Sequence, residues 1–169
     1  MRTPSASDEL MSPAHPGYAI TDDRQRVDLA AVHAFLASSY WAPGIPRATV
    51  ERAIKHSLCF SVLHGTQQVG FARVITDRTT FAYLADVYVL EAHRGKGLAK
   101  WLVATILQHA DLQGLRRFML ATRDAHGLYS QFGFGPVAAP ARLMEILDPD
   151  VYKAASTTES GPDMRGYDS

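Results

Sequence analysis

The chain has 169 residues, of which 17 are Lys or Arg and 17 are Asp or Glu, so its formal net charge is zero. That length suits one domain and is short for two. The balanced charge excludes a broad nucleic-acid or membrane footprint, and no run of 18 apolar residues exists to cross a bilayer. The single Cys59 has no disulfide partner within the chain and stands in the strand-like run Leu58–Leu63, which reads as a buried core thiol of a cytoplasmic protein. No charged-then-apolar leader opens the chain, in keeping with that location.

Residues 1–16 are polar and proline-bearing and show no periodicity, so they read as a flexible tail; residues 154–169 read the same way, leaving 17–153 as the folded domain. Tyr18–Thr21 is a short first strand. Asp28 can cap a helix carrying Leu29, Val32, Phe35 and Leu36 at helical spacing. A loop broken by Pro43, Gly44 and Pro46 follows, then a second helix over 47–57. Strands over 58–64 and 68–75 flank a turn at Gly65. The longest strand, 80–90, is apolar on both faces, with Ala82, Leu84, Asp86, Tyr88 and Leu90 expected on one of them. Such a strand belongs in the middle of a covered sheet. A helix over 97–110, a strand over 115–122 and a helix from Asp124 to Gly133 come next, and 142–147 reads as a final strand. Arg116–Arg117 reads as a solvated strand edge.

Two segments carry chemistry. The first is Arg94-Gly95-Lys96-Gly97-Leu98-Ala99, which joins the long strand to a helix. Backbone N–H groups at a helix start are unpartnered and partly positive, and glycines let an anion approach them. Arg94 and Lys96 add full charge, so the segment suits a phosphate-bearing cofactor. It is not a Walker loop, and Lys100 stands where a dinucleotide fingerprint needs a third small residue. The second segment is Tyr129-Ser130-Gln131-Phe132-Gly133-Phe134. A third feature is Asp86, the one charge inside the apolar strand, which must be paired, solvated by a cleft or shifted in its titration. His93, His126 and His33 are weaker candidates, and no metal-ligand spacing links the seven histidines.

The Arg-x-x-Gly-x-Ala loop and the Tyr-x-x-x-Gly-Phe pattern together resemble the GNAT superfamily of N-acetyltransferases. The strand and helix order matches that fold over nearly all of 17–153. The resemblance implies an α/β (α+β-like) fold, a mixed and mostly antiparallel central sheet flanked by helices in the order β-α-α-β-β-β-α-β-α-β. It implies acetyl-CoA as cofactor, held by Arg94, Gly95, Lys96, Gly97, Leu98 and Ala99 and by the backbone of Val87 and Val89. Relatives commonly hold the cofactor with an asparagine where Asp124 stands; an aspartate can only accept, so helix capping is the alternative for it. Tyr129 is the implied acid for the departing thiolate, and Asp86 the implied base or water-holder, with a structural hydrogen bond as its alternative. A lysine-like amine costs about 4.6 kcal/mol to deprotonate at pH 7, so some acceptor for that proton is required. Tyr40 and Trp41, in the loop between the first helices, are expected either to line the acceptor pocket or to anchor the loop.

The expected activity is direct acetyl transfer to a primary amine of a small molecule or peptide. The alternative is a catalytically silent acyl-CoA-binding regulatory module. Many relatives are homodimers, and nothing in the sequence decides that state here.

Overall fold

The computed structural model describes residues 9–155. Six strands form one sheet in which spatial order follows chain order: β1 (Leu10–Met11), β2 (Tyr18–Thr21), β3 (Leu58–His64), β4 (Gln67–Thr76), β5 (Phe81–Val89) and β6 (Arg117–Leu120). All neighbours are antiparallel except β5 and β6, which run parallel and therefore need a crossover. Helix α3 (Leu98–Gln108) supplies it.

Each face of the sheet is covered, as the apolar runs require. On one face Ile20, Phe60, Val62, Val74 and Leu84 pack with Leu98, Leu102, Val103 and Ile106 of α3. Helix α4 (His126–Ser130) lies on the same side through Tyr129. On the other face α1 (Leu29–Ala37) and α2 (Arg47–Lys55) bury Val32, Leu36, Val50 and Ile54 against Phe71 and Tyr88. Asp28 caps α1 as expected, accepting the Ala31 N–H at 2.9 Å.

Several sequence expectations need correction. Leu10 and Met11, placed in a polar tail, pair with Ile20 and Ala19 as an edge strand, and His15 stacks on Trp101 of α3 with ring centroids 4.7 Å apart. Two apolar residues inside a polar stretch are too few to show a period, and the strand forms because β2 offers its backbone edge. Residues 1–8 and 156–169 lie outside the described residues, so only parts of the two expected tails can be placed. At the other end, 142–147 is not a strand: a 3₁₀ turn at Pro140–Arg142 leads into an extended, exposed segment, and α5 (Val151–Ala155) follows. Asp124 does not cap α4. Ala125 holds the cap position without a side-chain bond, and Thr122 Oγ1 accepts the Ala125 N–H at 3.0 Å.

The alternation expected along β5 breaks at Asp86. Ala82 and Leu84 pack on the α3 side, but Tyr88 packs on the α1–α2 side and Val89 returns to the α3 side. The pairing with β4 shifts register between Phe71 and Arg73, and Asp86 has φ +55°, in the left-handed region. This is a bulge: one extra residue reverses the phase of every side chain beyond it.

Candidate active site

The site begins with unequal strand lengths. β5 and β6 pair only from Phe81↔Arg117 to Leu84↔Leu120. β6 then ends, while β5 runs on to Val89. From Ala85 onward the β6-side edge of β5 is open. Leu90 N–H donates to Val69 O of β4 at 2.8 Å, so Leu90 faces inward. Alternation turns the amide groups of Val89 and Val87 toward the open edge. The Val89 carbonyl is taken there: it accepts from Arg94 Nε at 2.9 Å. Arg94 thus ties the loop to the strand end and is more than a rim charge.

At the end of β5 the chain turns through Gly95 (φ +75°) and Gly97 (φ +76°), both in the region L side chains avoid. Gly97 occupies the N-cap of α3, with no side chain capping the helix. The first-turn N–H groups therefore keep the anion affinity of an open helix start. A Cβ at Gly97 would also come within 3.3 Å of His15 Nε2. The chemistry of this donor set, with uncapped amides beside a basic loop and an unpaired strand edge, fits a phosphate-bearing cofactor with an amide-bearing arm.

An open cavity of about 620 Å³ passes through the gap between the strands. It brings together Tyr40, Trp41, Asp86, Val87, Asp124 and Tyr129 from three separated stretches of chain. The loop residues 94–99 do not line it; they stand beyond its β5 end.

Tyr129 is buried, with 7% of its surface exposed, and its ring meets Phe134 edge-on at 5.9 Å. Gly133 (φ +87°) makes the turn that returns the Phe134 N–H to Tyr129 O, so the Tyr-x-x-x-Gly-Phe pattern closes on itself. Burial, aided by Tyr40, pushes the Tyr129 phenol up to about 12. It is neutral, and carries a transferable proton, throughout the neutral range.

Asp86 is paired. Its Oδ2 accepts from Arg73 Nε at 2.7 Å and its Oδ1 accepts from Trp41 Nε1 at 3.1 Å. The ion pair is mostly buried on both sides. Each carboxylate oxygen still has a free lone pair for a further donor. Arg73 also reaches Ser57 Oγ at 3.2 Å, so the bulge is held from β4 and from the start of β3. Trp41 is therefore fixed by Asp86, and Tyr40 is covered by the Arg123 guanidinium, 3.7 Å from its ring centre. Asp124 lies 3.6 Å from Arg123 in an exposed pair.

Three cavity residues escaped the sequence reading. Arg73 gave the same signal as Asp86, a lone charge inside an apolar strand, and could have been paired with it. Arg123 and Tyr152 gave none; Tyr152 reaches the cavity only because α5 folds back to the α1–α2 side near Gly44. Of the histidines, His33 holds the α1–α2 loop through Ile45 O at 3.0 Å, and His93 bonds the Tyr18 hydroxyl at 2.9 Å. His126 lines a separate groove beside β6. Cys59 is buried, and burial pushes its thiol up to about 11, which keeps it inert. Among the described residues no cluster of His, Cys, Asp or Glu is placed to hold a metal, and no helix is long and apolar enough to cross a membrane.

The model of the acetyltransferase (GNAT) family matches residues 27–134. A protein of Gibberella zeae, named among the acetyltransferases, is 36% identical over 137 residues, covering 68% of this chain and 76% of that protein. The crystal structure of a GNAT-family protein from Xanthomonas campestris is 50% identical, with a TM-score of 0.79 over 81% of this chain and 97% of that one. A protein from Clostridium acetobutylicum solved with acetyl-CoA shares the fold at 15% identity, with a TM-score of 0.56 over 77% of this chain and 94% of that one.

Proposed function

The chain belongs to the GNAT acetyltransferase family, and on that premise we propose that it moves the acetyl group of acetyl-CoA directly onto a primary amine of a small molecule or peptide. The observation that carries this reading is the open edge of β5 beyond Leu84, which leads into one cavity holding both Tyr129 and Asp86.

Gly95, Lys96, Gly97, Leu98 and Ala99 would hold the pyrophosphate through the uncapped start of α3, and the amides of Val87 and Val89 would hold the pantetheine arm. Bound there, acetyl-CoA supplies a thioester whose carbonyl an amine can attack. The Val89 N–H, turned to the open edge, polarises that carbonyl. Tyr129 gives its phenolic proton to the departing sulfur. Asp86, or a water on its remaining lone pair, receives the proton of the amine, while Arg73 and Trp41 hold the carboxylate in place. Tyr40 and Trp41 form the aromatic wall of the acceptor side, and Asp124 borders the cofactor side.

Residues 17–153 plus the edge strand at Leu10–Met11 form the acetyltransferase domain in this reading, and the cytoplasm, where acetyl-CoA is made and used, is its place. The test is thiol release from acetyl-CoA across a panel of amines and short peptides, with Tyr129→Phe beside the wild type. Wild-type release that falls about 10²–10⁴-fold in the variant supports the enzyme and the acid role. Tight acetyl-CoA binding with no release on any amine would instead favour a binding module that does not turn over.

A further inference from the structure

Four charged side chains line the cavity: Arg73, Asp86, Arg123 and Asp124. The first two hold each other at 2.7 Å. The other two are loosely matched, 3.6 Å apart and both largely exposed, an arrangement that contributes little. Among the described residues the Arg123 guanidinium donates no hydrogen bond. What holds it is a ring: its carbon lies 3.7 Å from the centre of Tyr40. At that distance guanidinium and ring stack face to face, which leaves the N–H edges free. A stacked guanidinium has already lost much of its freedom, so its fork is prepared for a planar anion.

Position decides which ligand that anion belongs to. Tyr40 and Trp41 follow α1, and Trp41 leans on Phe35 of that helix, so they stand on the α1–α2 side of the sheet. The uncapped start of α3 lies on the other side. Arg123 therefore belongs to the acceptor end of the cavity and not to the phosphate loop. The Tyr40 ring meets the Trp41 indole edge-on at 5.0 Å, and Trp41 Nε1 donates to Asp86 Oδ1 at 3.1 Å. One aromatic pair thus carries a cationic fork at one end and, at the other, the carboxylate that faces the amine. The lining around this pair includes Ile45, Ile54 and Ile75.

We propose that the acceptor is a primary amine that also carries a carboxylate, with Asp86 at its amine, Arg123 on its carboxylate and an apolar body against Tyr40 and Trp41. This rests on the acetyl-transfer reading and narrows it to one class of amine. Two cations and two anions line the cavity, a balance that suits a zwitterion. A plain amine leaves the Arg123 fork unused. A phosphate dianion is a poorer match, because a single guanidinium faces it and Asp124 stands beside that guanidinium. In the transfer the nitrogen bonds the acetyl carbon as the carbon–sulfur bond breaks, and the carboxylate is unchanged. Of the two protons the ammonium loses, one passes through Asp86 to solvent and the other replaces the Tyr129 proton given to the thiol. The products are an N-acetyl amino acid, free CoA and one proton.

The test compares acceptors that differ only by the carboxylate: γ-aminobutyrate with propylamine, and 4-(aminomethyl)benzoate with benzylamine. The readout is the ratio of kcat/KM within each pair, for the wild type, Arg123→Met and Arg123→Lys. The wild type should favour the carboxylate by about tenfold or more, and Arg123→Met should bring the ratio close to one. Arg123→Lys, charged but without the fork, should keep part of it. Damage to folding or to cofactor binding affects both members of a pair alike and cancels in the ratio. A wild-type ratio near one, or a ratio that Arg123→Met leaves in place, overturns the inference. So does a preference for 2-aminoethyl phosphate over both carboxylates. If neither member of either pair is acetylated, the acetyl-transfer reading is what fails. Calorimetric titration of the same pairs with CoA present then decides the acceptor class. Binding by the carboxylate members alone, lost in Arg123→Met, supports it; equal binding, or none, overturns it.

Discussion

The two ends of β5 are made from similar residues and do opposite things. At its start the backbone is fully satisfied. β4 and β6 pair on either side, and the preceding turn is closed by Asp77, whose carboxylate accepts the N–H groups of Thr79, Thr80 and Phe81 and the Thr80 hydroxyl. At its end β6 is gone, Asp86 bulges the strand, and Val87 and Val89 face an open edge. The stable end uses its hydrogen bonds on the fold. The other end leaves some unpaired, where the proposed cofactor arm would bind, and the Arg73–Asp86 pair lies at that gap. A binding edge in a sheet is thus made by ending a neighbour early and bulging the strand where it ends.

If that contrast is right, the largest stability loss comes from the bulge. Asp86→Ala leaves Arg73 buried without its partner and puts alanine in a left-handed conformation that aspartate tolerates better. A loss of about 3 kcal/mol in urea unfolding is expected, with activity lost as well. Asp86→Asn, which keeps the backbone preference and the shape, should be milder in stability and still impaired in turnover. A cost for Asp86→Ala within experimental error of zero would show that the pair does not hold the gap.

Next comes Arg94→Met, which removes the tie to the Val89 carbonyl. Loss of a charged hydrogen bond of about 1.5 kcal/mol corresponds to roughly a tenfold rise in KM for acetyl-CoA, with kcat little changed. An unchanged KM would separate the loop from cofactor binding. Gly97→Ala sharpens the same point, since a left-handed alanine costs about 1 kcal/mol and its Cβ crowds His15. It should lower Tm slightly and raise KM.

The smallest effect belongs to the closed end. The hydrogen bonds from Thr80, Thr79 and Phe81 hold the Asp77 carboxyl well below the usual carboxylate range. A depressed value means the contribution is present above the unfolded carboxylate value, near 4, and fades as pH falls toward the folded one. Asp77→Asn should therefore narrow the difference in Tm between neutral and acidic pH while leaving kcat and KM alone. A change in activity would break the division between the two ends. Tyr129 has the opposite sign: with its phenol raised to about 12, it stays protonated across the working range, so no fall in rate below pH 9 should trace to it.

What local chemistry writes into a sequence was legible here. Gly95 and Gly97 marked a loop open to an anion, Asp28 marked a helix cap, and Gly133 marked the end of the helix that carries Tyr129, because each depends on residues within a few positions. The strands over 58–64 and 80–90, the latter observed at Phe81–Val89, followed from apolar, β-branched and aromatic content in the same way. What required the tertiary structure was every decision about which edge meets which. Arg73 finds Asp86 across the β4–β5 ladder, and the bulge there reverses the faces of Tyr88 and Val89. Leu10–Met11 becomes a strand because β2 offers an edge, and 142–147 does not because its own chain leads it away from one. Tyr152 enters the cavity on a helix that returns from the end of the described chain. The physical reason is one of range. Torsional preference and helix capping act over three or four residues, whereas a ladder partner, an ion pair or an open edge is set by segments tens of residues apart.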